Sequence, residues 1–299
     1  MIYLEDLAKL IGINYKYLKN LIKFKDFYYK TIFIEKRSRD NRQIDTPNYE
    51  IKALQTWILR FILEKIQINK HVNGFVKGRS INSNAKPHLN KYCIICLDIE
   101  NFFNSIIEDD IMAVFNNCLN GIYKNISREL TKICTFKGYL PVGAVTSPFL
   151  SNLVFERADE EIIKFCKSRN LCYTRYADDL TFSSVKYLRI EDIEPEISKI
   201  INKYSFKLNS KKSRLNFKGK RMMVTGLVLN SGKITVGRKF KRDVRGMIHN
   251  YFIKNNKNIN LDEMLGKIAF LRGVEPSYFQ NNLINYIKKI KSKDINSSI

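Results

Sequence analysis

Residues 173–184 read YTRYADDLTFSS, two adjacent aspartates inside a run that otherwise favours β-structure. Asp is depleted in strands, and neighbouring like charges repel, so the pair needs a reason. A plain hairpin turn is one reading, because Asp tolerates turn geometry. A turn built to bind a cation is the other. Residues 92–103, YCIICLDIENFF, favour the second: a continuous apolar run of strand length ends at Asp98. A run without alternation predicts a central strand covered on both faces.

A strand end beside a tight hairpin would present three carboxylates, from Asp98, Asp178 and Asp179. That set suits nucleotidyl transfer, in which two Mg²⁺ ions about 3.5–4 Å apart stabilise the attacking and leaving oxygens. Mg²⁺ is usually held by one or two carboxylates together with phosphates and water.

Charge points the same way. Fifty-two Lys and Arg against 29 Asp and Glu give a formal net charge of +23, spread along all 299 residues. Such a balance implies a polyanionic partner, most often nucleic acid held through its phosphates. No run approaches the roughly 20 apolar residues of a membrane span. The N-terminus carries acid early and lacks a signal-peptide layout, so the expectation is a cytoplasmic protein without a membrane partner. Among six cysteines only Cys93 and Cys96 have a metal-like spacing, with no second pair to complete four ligands. All six read as reduced thiols, mostly buried.

Along the chain, the first 30 residues read as short amphipathic helices, followed by a basic strand-forming stretch, YKTIFIEKRSRDNRQIDTP. Residues 49–68 have apolar side chains at helical spacing (Ile51, Leu54, Ile58, Phe61, Ile62). A polar loop, helices around 108–134, the loop KGYLPVGAVTSP and one long helix from FLSNLVF onward come next. After the YADD hairpin lie a helix near 191–205, a strand pair MMVTGLVLNSGKITV turning at Asn-Ser-Gly, and a basic helical tail from Gly237. This irregular alternation predicts an α+β fold with helical additions.

These motifs carry a resemblance. YADD preceded by LDIENFF resembles the palm of a reverse transcriptase. RQIDTPNYEIKALQTWIL and GFVKGRS resemble the fingers of bacterial reverse transcriptases, and LPVGAVTSPFLSNLVF resembles their LPQGxxxSPxLxNL loop and helix. NAKPH at 84–88 and VTG at 224–226 resemble two motifs of retron reverse transcriptases. The likeness runs from about residue 30 to 245, and short motifs in the family's order are far more specific together than singly.

The resemblance implies a right-hand polymerase. Residues 1–90 would form N-terminal helices and fingers, and 91–229 an antiparallel palm with helices and a fingers insertion at about 108–140. Residues 230–299 would form a short helical thumb, with no room for a nuclease domain. Asp98, Asp178 and Asp179 would hold two Mg²⁺ ions, Mn²⁺ being a possible substitute, with the backbone of Ile99 alongside. Phe103 would exclude a 2′-hydroxyl, and Arg79 with Lys77 would contact the incoming dNTP. Lys211 or Lys212 would lie near the leaving pyrophosphate, and Gly143 would keep the shape of the nucleotide-side loop. Tyr176 and Ala177 would pack on the primer end. Asn84, His88, Val224, Thr225 and Gly226 would help hold template RNA. One departure is Val142, where relatives carry a Gln that meets the nucleotide sugar.

The implied reaction is reverse transcription of a structured retron noncoding RNA, primed from a 2′-hydroxyl and giving a branched RNA–DNA product, multicopy single-stranded DNA. Anti-phage defence with a separately encoded effector would follow. A group II intron-like or other defence-associated reverse transcriptase is the alternative, and a non-catalytic RNA-binding scaffold is a further one.

Overall fold

The computed structural model describes residues 2–35, 41–254 and 259–296. Two short helices, α1 (Leu4–Ile11) and α2 (Tyr15–Lys23), open the chain, and Asn14 caps the second by accepting from the Lys16 and Tyr17 amides. Strands β1 (Tyr29–Glu35) and β2 (Asn41–Pro47) form an antiparallel hairpin, so the basic stretch is a strand pair as expected. Residues 36–40 of that stretch lie outside the described residues.

Helix α3 (Tyr49–Phe61) starts at the Asn48 cap and buries Ile51, Leu54, Gln55 and Ile58. It stops before the expected end. A 3₁₀ turn over Leu63–Lys65 follows, and Phe61 is exposed beside Trp57 rather than in the core. The polar stretch that follows contains a short helix, α4 (Ile81–Ala85), capped by Ser80.

The central sheet is built from β3 (Cys93–Asp98), β4 (Cys172–Tyr176), β5 (Asp179–Ser184) and β6 (Arg214–Phe217) in the order β4–β5–β3–β6, all antiparallel. β3 is interior and mostly buried on both faces, as its unbroken apolar run predicts. Helices α5 (Glu108–Asn117), α6 (Ser127–Cys134), α7 (Ser147–Val154), α8 (Glu156–Ser168) and α9 (Glu194–Asn202) share one core with this sheet, running from Leu7 to Phe206. The helix expected to continue from FLSNLVF breaks at Phe155, whose side chain is buried against Phe102 and Phe206.

Strands β7 (Met223–Val224) and β8 (Leu227–Val228) are joined at Thr225-Gly226, both with positive φ, rather than at Asn-Ser-Gly. The Asn230–Gly232 turn instead returns the chain so that Thr235 pairs with Val228. Helices α10 (Arg238–Phe252), α11 (Leu261–Val274), α12 (Pro276–Tyr278) and α13 (Ile284–Asn296) form a C-terminal layer. Its separate core includes Val244, Ile248, Met264, Leu271 and Leu283. All six cysteines are free, four of them buried, in line with the thiol reading. Among the described residues no helix is long and apolar enough to cross a membrane.

Candidate active site

The register of the central sheet assembles the acids. Asp98, the last residue of β3, sits opposite Asp179, the first residue of β5. Directly opposed residues have Cβ atoms about 4.5–5.5 Å apart, where like charges destabilise a sheet. Tyr176 pairs with Asp179, so the β4–β5 loop is only Ala177 and Asp178. The Ile99 amide donates to the Asp178 carbonyl at 3.0 Å, tying the end of β3 to the turn. Asn209 N donates to the Asp98 carbonyl (2.8 Å) and fixes the strand from the other side.

The electrostatics reflect this crowding. Burial, then Asp178, then Asp98 push the Asp179 carboxyl up to about 6. Burial likewise raises Asp178, with Asp98 adding to the rise, while Lys212 and Arg42 oppose it. Lys212 Nζ bonds both oxygens of Asp98, at 2.8 and 3.1 Å. Of the two candidate lysines, Lys212 thus reaches the acids. Arg42 on β2 and Arg214 on β6 add positive charge and were missed by sequence reasoning. In a chain of +23 nothing singles them out.

Other expected residues divide into two groups. Phe103 is partly exposed, with its ring 6.1 Å from Phe75, whereas Phe102 is in the core. Tyr176 is partly exposed, and Lys77, Lys211 and Gly226 are exposed. Gly143 has φ +119, and a Cβ there would lie 2.8 Å from Ile44 Cγ2, so glycine lets this loop meet β2. The adjoining Val142 carbonyl accepts from Asp45 N (2.8 Å).

The second group faces inward. Arg79 is partly buried and spends its guanidinium on the carbonyls of Ile68, Asn69 and Val72, clamping its own loop. His88 is fully buried, Nδ1 hydrogen-bonded to Ser183 Oγ (2.7 Å) and Nε2 to Thr174 Oγ1 (2.8 Å). Burial drives its pKa down to about 3, with Lys91 adding a smaller push. It braces β4 to β5 and presents no edge to RNA. Asn84 and Val224 are also fully buried, and Asn84 Nδ2 donates to Thr225 Oγ1 (3.4 Å). The two motif segments therefore hold each other together. Burial of this kind cannot be read from the motif alone.

Comparison with known proteins decides what this geometry belongs to. The family described as reverse transcriptase (RNA-dependent DNA polymerase) matches residues 34–229, which contain all three aspartates. The retron Ec86 reverse transcriptase of Escherichia coli is 36% identical over 97% of this chain and 90% of its own length. The chain belongs to the retron reverse transcriptases. The retron Ec83 enzyme of Escherichia coli is 30% identical over 88% of the chain and 90% of its own length. The retron Se72 enzyme of Salmonella heidelberg (strain 579083-10) is 30% identical over 82% and 66%. This retron reverse transcriptase is thus an RNA-directed DNA polymerase with an α+β polymerase fold.

Reverse transcriptases use divalent metal ions. Among the described residues no three His, Cys, Asp or Glu side chains close into a ready-made metal cage. The donor set nevertheless fits a hard cation: three carboxylates, of which Asp178 and Asp179 are pushed toward protonation by burial first and then by neighbouring carboxylates, Asp98 for the former and Asp178 with Asp98 for the latter. Mg²⁺ characteristically completes its shell with substrate phosphates and water rather than with protein alone.

Proposed function

We propose that this reverse transcriptase copies a structured retron noncoding RNA into branched multicopy single-stranded DNA, with Asp98, Asp178 and Asp179 as the metal-binding catalytic acids. The observation that carries the reading is the register pairing of Asp98 with Asp179 beside a two-residue turn bearing Asp178. It gathers three carboxylates at one end of the sheet, of which Asp98 alone holds a lysine.

Two Mg²⁺ ions, when bound there, would supply charge neutralisation at the attacking and leaving oxygens. The chain's own residues supply the rest. Asp98 and Asp179 hold their carboxylates on rigid strand ends, which favours the close positioning that transfer requires. The Ile99 backbone ties that strand end to the turn. Phe103, backed by Phe102 and Phe75, offers a flat wall suited to excluding a 2′-hydroxyl. Arg42, Lys77 and Lys212 supply positive charge for a dNTP triphosphate, with Lys212 exchanging Asp98 for the departing pyrophosphate. Gly143 keeps the neighbouring loop close to β2. Tyr176 and Ala177 pack toward the primer end, and Thr225 and Gly226 form a turn available to RNA.

We assign residues 1–90 to N-terminal helices and fingers, 91–229 to palm with a fingers insertion, and 230–299 to thumb. The thumb groove supports an RNA partner. Arg238, Lys241, Arg242, Arg245 and His249 line it with Tyr278 and Tyr286, in an opening of about 570 Å³. A cytoplasmic setting and an effector-linked defence role complete the proposal. The test is to incubate the protein with its neighbouring noncoding RNA, Mg²⁺ and dNTPs. A DNA product joined to the RNA through a 2′-linkage is expected, and none with Asp178→Asn. No product from the native protein refutes the proposal.

A further inference from the structure

One fully buried ion pair has no place in the chemistry above. Arg175 and Asp159 have fully buried side chains, and Arg175 heads the largest fully buried side chains. The guanidinium grips the carboxylate by Nε to Oδ1 (2.9 Å) and Nη2 to Oδ2 (2.6 Å), and Tyr173 OH donates to the same Oδ1 at 2.7 Å. The ring of Phe155 lies 4.8 Å from the guanidinium carbon. Buried ion pairs are often replaceable by apolar side chains without loss of stability, so holding the fold together is a weak reason for this one.

Its remaining donors point elsewhere. Arg175 Nη1 donates to the Ala177 carbonyl (3.1 Å) and to Asn152 Oδ1 (2.9 Å). Ala177 has φ +56, a left-handed conformation that only glycine adopts readily, and the Arg175 donor holds its carbonyl there. Asn152 Nδ2 in turn donates to the Gly74 carbonyl (2.9 Å). The Arg175 backbone also grips this loop: its N–H donates to His71 O (2.9 Å), and its carbonyl accepts from Asn73 N (2.7 Å). Gly74 comes so close that a Cβ there would lie 2.4 Å from Ala177 N. The next residue, Phe75, lays its ring against Phe103.

We propose that Arg175 is a positioning residue that sets the metal-binding turn and the sugar-facing wall together. Asp159 anchors it from α8, one arm fixes Ala177 ahead of Asp178, and the Asn152–Gly74 arm fixes the loop that carries Phe75 onto Phe103. Metal affinity and deoxyribose selection are thereby coupled through one guanidinium. This inference rests on the assignment of Asp178, Asp179 and Phe103 given above.

The test compares Arg175→Lys, which keeps the charge but loses the planar fork, with Asn152→Ala, which keeps the ion pair and cuts the strut to Gly74. Folding is checked by cooperative thermal unfolding. In folded Arg175→Lys, the Mg²⁺ concentration for half-maximal synthesis is expected to rise, and the dATP-over-ATP ratio of kcat/KM to fall, each about tenfold. Amide hydrogen exchange across residues 71–79 and 176–179, which needs no catalysis, is expected to quicken in both variants. Unchanged Mg²⁺ requirement, discrimination and exchange in folded Arg175→Lys overturn the proposal, as does a change in one of its catalytic readouts without the other. If Arg175→Lys does not fold, Asn152→Ala decides by dATP-over-ATP discrimination and exchange across residues 71–79, both unchanged overturning the proposal. Synthesis that survives Asp178→Asn would remove the site assignment instead, and the exchange data alone would then decide the coupling.

Discussion

Two sets of acids serve the same sheet and are treated in opposite ways. Asp159, behind β4, is fully buried with a guanidinium and a tyrosine hydroxyl on its oxygens. Asp98, Asp178 and Asp179, at the strand ends, stand close together with one exposed lysine on Asp98. The first set is satisfied within the chain, and the second is left short of positive charge. A protein that can neutralise a carboxylate so fully in one place has not failed to do so in the other. The shortfall is the feature that an incoming cation and a triphosphate complete.

The largest expected effect breaks the satisfied side. Asp159→Asn strands the Arg175 charge in the core and is expected to cost about 3–5 kcal/mol in urea denaturation. Asp179→Asn, by removing repulsion, is expected to raise stability; a loss equal to that of Asp159→Asn would erase the contrast. Next, Asp178→Asn is expected to cut primer extension at least a hundredfold, about 2.7 kcal/mol of transition-state stabilisation, with the circular dichroism spectrum unchanged.

The pH dependence separates the two faces by sign. His88 has a folded pKa near 3 against 6.5 when unfolded, so below about pH 6.5 the unfolded state takes up the extra proton. Its contribution lowers stability by about 1.4 kcal/mol per pH unit as pH falls toward 3. Asp179, raised from 3.8 to about 6, takes up its proton in the folded state first and so adds stability as pH falls through that window. The fall in stability with falling pH is therefore expected to steepen in Asp179→Asn and to flatten again in Asp179→Asn/His88→Asn, as measured by denaturation at stepped pH. The smallest effect concerns Lys212. An exposed pair is worth about 0.2–1 kcal/mol, so Lys212→Met is expected to lower the Mg²⁺ requirement by up to about fivefold in a titration.

Much of the acidic site was legible because it breaks a local rule. Two aspartates in a strand-forming run, and a third ending an unbroken apolar run, conflict with strand propensity and so advertise themselves. Arg175 breaks no rule that a reader can see, since one more cation in a chain of +23 looks ordinary. Its partner Asp159 hides in ERADEE, which reads as a solvated helix face. Arg79 and His88 were legible as motif members but not in direction, because whether a side chain faces solvent depends on packing far away in sequence. The break at Phe155 has the same origin: the ring is drawn into the cluster of Phe102 and Phe206. Turn chemistry pointed to Asn-Ser-Gly for the hairpin, whereas the chain turns at Thr225-Gly226 and uses Asn-Ser-Gly for the return to Thr235.

The C-terminal helices have a small core of their own, and Val274 packs both against it and against a separate cluster of Ala85, Ile94, Val224 and Leu227. Asn82 adds one hydrogen bond across the join, to the Gly273 carbonyl at 3.1 Å. A layer with a small core of its own can loosen at a free-energy cost set by that core, below that of opening the sheet. Warming should therefore erode grip before chemistry: the DNA made per binding event shortens at temperatures where a single nucleotide is still added at full speed.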